Sequence, residues 1–160
     1  MTRGRGGRVA GALAVAAVAV AGLAACSTDA ADQKVIDRLW KLDVMTVPAG
    51  ATELSRNSEK GGGNSVIRNA SGVTLVYATA QAPAEIGQRY HARFDPTWHF
   101  KDNGVVVLGG WRASGSPGPQ PNAYSDTVAE VMARRVTSAD NVPAGSQSVV
   151  TVTASATRPA

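Results

Sequence analysis

The chain has 160 residues, with 16 Lys and Arg against 12 Asp and Glu, 44% hydrophobic residues and one cysteine. A single cysteine excludes a disulfide within the chain. No basic cluster exceeds Arg134-Arg135, which excludes the electrostatic footprint of a nucleic-acid binder, so no nucleic-acid partner is expected.

The chain opens with Arg3, Arg5 and Arg8 and has no acidic residue before position 26. Val9 to Ala25 is an uncharged run rich in Ala and Val, shorter than the ~20 apolar residues of a typical helical span. A basic start, a short apolar stretch and small residues at its end predict a secretory signal peptide over residues 1–25. Setting its three Arg aside leaves thirteen basic against twelve acidic residues, so the excess of positive charge belongs largely to the leader.

Leu23-Ala24-Ala25-Cys26 ends that run. These four residues resemble the lipobox of bacterial lipoproteins, Leu-[Ala/Ser]-[Gly/Ala]-Cys, at every position. With its abundance of Ala, Val, Gly and Arg, the chain looks like a small actinobacterial envelope lipoprotein. The resemblance covers the leader alone. It implies that Leu23, Ala24 and Ala25 are read by the signal peptidase. It implies further that Cys26 carries diacylglycerol and becomes the first mature residue. The expected location is the outer face of the cell membrane, with the bilayer as partner through the lipid anchor.

Residues 26–33 carry no large apolar side chain and are expected to form a tether. Val35, Ile36, Leu39, Trp40 and Val44 then follow helical spacing, with Lys34, Asp37, Arg38 and Lys41 opposite. Pro48 and Gly50 end that helix. "ATELSRNSE" (51–59) reads as a strand and "KGGGNS" (60–65) as a loop. The loop lacks the spacing of a phosphate-binding turn. In "SGVTLVYATA" (71–80), Val73, Leu75 and Tyr77 share one face of a strand and Thr74 and Val76 the other.

"APAEIGQRYHARF" (82–94) predicts a helix, with Pro83 in its first turn and Ile86, Tyr90 and Phe94 as its buried stripe. Pro96 is expected to stop it. "TWHFKDNGVVVLGGWRA" (97–113) reads as a hairpin. Trp98 and Phe100 alternate on its first strand, Asp102-Asn103-Gly104 turns, and Val105 to Trp111 returns. Residues 114–125 form a Pro- and Gly-rich loop. Residues 126–137 fit a helix through Val128, Val131, Met132 and Val136. They also alternate as a strand, and the final run "SVVTVTAS" (148–155) calls for such a partner. The expected fold is α+β: one domain over residues 34–156, a small mainly antiparallel sheet with one packed helix, an N-terminal helix after the anchor, and a frayed end at 157–160.

His91, Asp95 and His99 recur every four residues and are candidate ligands for a divalent metal, with Pro96 set against that geometry. Trp98 and Trp111 are either core residues or a binding surface for an envelope protein or glycan. No G-x-S-x-G, paired carboxylates or nucleotide motif occurs, so no catalytic residue is assigned and no cofactor is expected. The reading is a non-catalytic interaction or accessory module of the cell envelope. The alternative is a metal-binding envelope protein using His91, Asp95 and His99.

Overall fold

A computed structural model describes residues 30–61, 70–103, 109–118 and 126–157. The leader and its Cys26 therefore lie outside the described residues, as do residues 62–65 of the glycine loop and 104–108 of the hairpin. The described strands form one antiparallel sheet: β1 (Thr52–Glu59), β2 (Ala70–Thr79), β3 (Lys101–Asp102), β4 (Trp111–Gly115), β5 (Thr127–Arg135) and β6 (Ser148–Thr157). Their order across the sheet is β1-β2-β6-β5-β4-β3. Two helices, α1 (residues 30–39) and α2 (Pro83–Trp98), join it to give the expected α+β class. Within residues 126–137, Thr127–Arg135 form strand β5, and its alternate side chains Ala129, Val131 and Ala133 reach the core.

In α1, Val35, Ile36 and Leu39 are buried, while Lys34, Asp37 and Arg38 stay exposed. The helix is already formed at residue 30, so residues 30–33 of the expected tether are helical. The reason is Asp32, which is buried and accepts a hydrogen bond from the Ser71 hydroxyl. The backbone N–H of Gly61 donates to the same hydroxyl, which ties the start of α1 to the first turn of β2 and the exit of β1. The last turn of α1 tightens, and Val44 is buried instead from a separate 3-10 turn, Asp43–Met45.

One face of the sheet makes the core. Leu75 pairs with Val152, Val152 with Val131, and Val131 with Ala113, all buried. Bulk is divided unevenly along this row. β2 brings Leu75 and Tyr77, whereas β4 and β5 bring Ala113, Ala129 and Ala133. The small residues leave room for α2, which supplies Ile86, Tyr90, Phe94 and Trp98. Aromatic packing fills the gap: the Tyr90 ring lies 5.1 Å from Phe94, 5.9 Å from Phe100 and 5.8 Å from Trp111. α2 starts where its Glu85 carboxylate accepts the Ala82 N–H, which satisfies a donor freed at the helix start.

Pro96 does not stop α2. The helix continues to Trp98 and ends on His99 in the left-handed region, at φ 48°. Trp98 therefore projects from a helix into the core rather than from a strand. Its indole N–H donates to Asp43 at 3.0 Å, a contact made across the 3-10 turn. Gly118 donates its N–H to the Thr97 carbonyl, and the Thr97 hydroxyl donates to the Phe94 carbonyl. These bonds occupy carbonyls of the last turn, which have no partner within the helix.

The hairpin also differs from its sequence reading. Asp102 pairs with Ala113 and Lys101 with Ser114, so residues 103–112 separate the ladder partners and Asp102-Asn103-Gly104 is not a two-residue turn. The return strand starts at Trp111. At the other end, Thr157 is a strand residue: it pairs with Ala70 and donates its N–H to Asp126.

Candidate functional site

The densest polar cluster around the expected site residues lies where the second half of α2 meets the edge pair β3–β4. α2 presents His91 and Asp95 one turn apart. β3 presents Asp102, and the facing Trp111 begins β4. His91 Nδ1 lies 2.8 Å from an Asp95 carboxylate oxygen, and His91 Nε2 lies 2.9 Å from Asp102 Oδ1. The indole N–H of Trp111 donates to that same Asp102 oxygen at 2.8 Å. The His91 and Trp111 rings meet edge to face, with centroids 5.8 Å apart. Gly87, one turn before His91, makes room for Trp111: a β-carbon there would stand 2.8 Å from the indole nitrogen.

This geometry sets the charge state of the imidazole. Two carboxylates bracket one ring, and both bonds form only when both ring nitrogens carry protons. Bonding to Asp102, reinforced by Asp95, raises the His91 pKa above its ordinary value despite partial desolvation. Asp102 moves the other way: the bond from His91 and then that from Trp111 hold its carboxyl below the usual range. The cluster is thus an ionic staple between helix and edge strand. Its members are 31% (His91), 41% (Asp95) and 62% (Asp102) exposed, so water screens it.

The metal set of the alternative reading, His91, Asp95 and His99, is not assembled. His91 and Asp95 are together, but His99 is turned away and its Nε2 is bonded to the Gly118 carbonyl. The partner that replaces it, Asp102, binds the opposite nitrogen from Asp95. Ring nitrogens diverge, so one ion cannot reach both carboxylates through them. Among the described residues, no group of three or more His, Cys, Asp or Glu is arranged to hold a metal ion. The continuation of α2 through Pro96 explains this, since it fixes His99 in the cap and not on a strand beside His91.

The two tryptophans separate. Trp98 is 2% exposed and belongs to the core, not to a binding surface. Trp111 is half-buried, with its ring packed on the core and its nitrogen engaged by Asp102. Sequence reading missed two residues, Asp102 as a partner of His91 and Asp43 as a partner of Trp98. Both contacts span long sequence separations, and no local spacing marks them. Leu23, Ala24, Ala25 and Cys26 lie outside the described residues.

The opposite face of the sheet is covered by neither helix. Its middle row runs from Val76 through Thr151 and Met132 to Arg112. Beside it lie Thr74, Thr153, Glu130 and Ser114. Arg112 and Glu130 form an ion pair at 2.7 Å. Two open hollows mark this side, one of about 200 Å³ lined by His99, Lys101, Asn103 and Ser114, the other of about 340 Å³ above Gly72 and Thr74. Among the described residues, no helix is long and apolar enough to cross a membrane. Compared with protein-family models, curated proteins and solved structures, the chain matches none.

Proposed function

We propose that this chain is a lipid-anchored, non-catalytic accessory module of the cell envelope. Cys26 holds it at the outer face of the membrane, and its uncovered sheet face is offered to an envelope protein or glycan. The observation that carries the reading is Leu23-Ala24-Ala25-Cys26 placed directly after the uncharged run Val9–Ala25 and its preceding arginines. A thiol at that point has a chemical use, as the nucleophile that receives diacylglycerol. Two acyl chains, at ~0.8 kcal/mol for each buried CH₂, hold a small domain stably on a bilayer.

The polar cluster supports a binding rather than a catalytic role. Both nitrogens of His91 are engaged by carboxylates, which leaves no lone pair aimed at a cavity as a general base. The uncovered face supports it as well. It mixes Thr, Ser and Val with the Arg112–Glu130 pair, the composition of a polar contact surface.

The test is expression of the full chain in a bacterium that processes lipoproteins. Intact mass should show an acylated N-terminus at residue 26, and the protein should partition into detergent. Cys26→Ala should remove the acyl mass and shift the protein to the aqueous phase. A mature N-terminus elsewhere, without acyl mass, sinks the reading.

A further inference from the structure

We infer that the end of the sheet carrying Ser71, Asp126 and Thr157 faces the bilayer and that the turn over residues 136–147 is held farthest from it. This orientation rests on the lipid-anchored reading of Cys26 and adds the surface that meets the membrane.

Asp32 is fixed to Ser71, at the start of β2, by a buried hydrogen bond. Ser71 pairs with Ala156, and Ala156 with Thr127, so one end of the sheet gathers the start of β2, the end of β6 and the start of β5. Arg38 of α1 pairs with Asp126 there at 3.2 Å. From Cys26 to residue 30 there are four peptide steps, at most ~14 Å when extended. Two helical residues add ~3 Å. The Cα of residue 26 thus stays within about 17 Å of that of Asp32, and the acylated sulfur within about 20 Å.

The other end of the sheet is out of range. β6 has ten residues from Ser148 to Thr157, a length of about 30 Å. At the far end Gln147 donates its N–H to Thr79, and Val136 donates to Gln147. Asp140 closes the turn there by accepting from the backbone and hydroxyl of Thr137. Pointing that turn at the headgroups with the Ser71 end held farthest from them would require the tether to run the height of the sheet, which its length forbids.

The charges suit contact without insertion. Among the described residues, the near end presents both signs, Arg38 with Asp126 and the exposed Glu59, with no basic amphipathic stripe to bury in acyl chains. The uncovered sheet face then stands upright and open to a partner.

Single cysteines at Glu59 (near end), Asn141 (far turn) and Thr153 (open face) test this in the full-length lipidated protein; all three positions are exposed. Acylation converts the Cys26 thiol to a thioether, so only the introduced cysteine takes a fluorescent maleimide. Each protein is placed in phosphatidylcholine vesicles carrying a nitroxide on the headgroup. Quenching should be several-fold stronger for Glu59→Cys than for Asn141→Cys, with Thr153→Cys between them. Equal or stronger quenching at 141 overturns the orientation, and strongest quenching at 153 overturns it in favour of a sheet lying flat. If intact mass shows no acyl group and the protein does not float with vesicles, the anchor itself falls and takes the orientation with it.

Discussion

On β2, Val73, Leu75 and Tyr77 are buried beneath the helices, while Thr74 and Val76 between them stay partly exposed on the far face. β6 repeats the contrast, with Val150, Val152 and Ala154 against Thr151, Thr153 and Ser155. Strand geometry alone puts neighbours on opposite faces, so the chain writes two surfaces in one stretch of residues. The inner surface is specified by volume: bulky side chains on β2 and α2 meet alanines on β4 and β5. The outer surface is specified by solubility and by β-branched residues that suit a pleated strand. Changes to the inner surface act through stability, and changes to the outer one are free to act through contacts.

The largest expected effect breaks this division directly. Leu75→Ala should destabilise the fold by about 2–5 kcal/mol, because it removes a fully buried side chain at the centre of the core row. Its neighbour Val76→Ala should cost less than about 1 kcal/mol, the whole span of strand preference. Urea denaturation of the two variants checks the pair, and equal losses would mean that the outer face is covered too.

A smaller effect tests how closely α2 approaches the sheet. Gly87→Ala places a methyl against the Trp111 ring, an overpacking cost of about 1–3 kcal/mol offset by about 1 kcal/mol of helix preference. Net destabilisation with a red-shifted tryptophan emission is expected. In a Trp111→Ala background the sign should reverse and Gly87→Ala should stabilise.

The smallest concerns the staple. Because the folded His91 pKa is raised, its contribution is complete below the ordinary imidazole value of about 6.5 and is lost as pH rises through the folded value. Because the Asp102 pKa is lowered, its share is complete above the ordinary carboxyl value of about 3.9 and is lost as pH falls through the folded value. The staple is therefore tightest at mildly acid pH. At that exposure it is worth no more than about 1 kcal/mol. Comparing the pH dependence of unfolding for the parent and His91→Gln should show an advantage for the parent near pH 5–6 that shrinks above neutrality. A constant difference across that range rules the staple out.

The elements legible in the sequence were those whose own residues carry the period. β2, β6 and the body of α2 each bury a stripe that alternation or helical spacing announces: Val73-Leu75-Tyr77, Val150-Val152-Ala154 and Ile86-Tyr90-Phe94. What local pattern missed was held by distant partners. Pro96 looks like a stop until Trp98 is seen bonded to Asp43, 55 residues away. Asn103-Gly104 looks like a tight turn until Asp102 is seen paired with Ala113 and bonded to Trp111. Asp32 looks like part of a solvated tether until Ser71 is seen donating to it. In each case a specific hydrogen bond to a residue outside the local pattern stands against a local preference, and single-sequence periodicity has no term for it.

The position of β6 carries a consequence for assembly. Although last in chain order among the described strands, it lies between β2 and β5 and bonds to both along its length. Among the described strands, only β6 joins β1–β2 to β3–β4–β5, so without it the ladder pairs leave two unconnected ribbons, each with an open edge. Folding of this topology cannot proceed strand by strand from the N-terminus. The sheet is complete only when residues 148–157 are in place between its two halves.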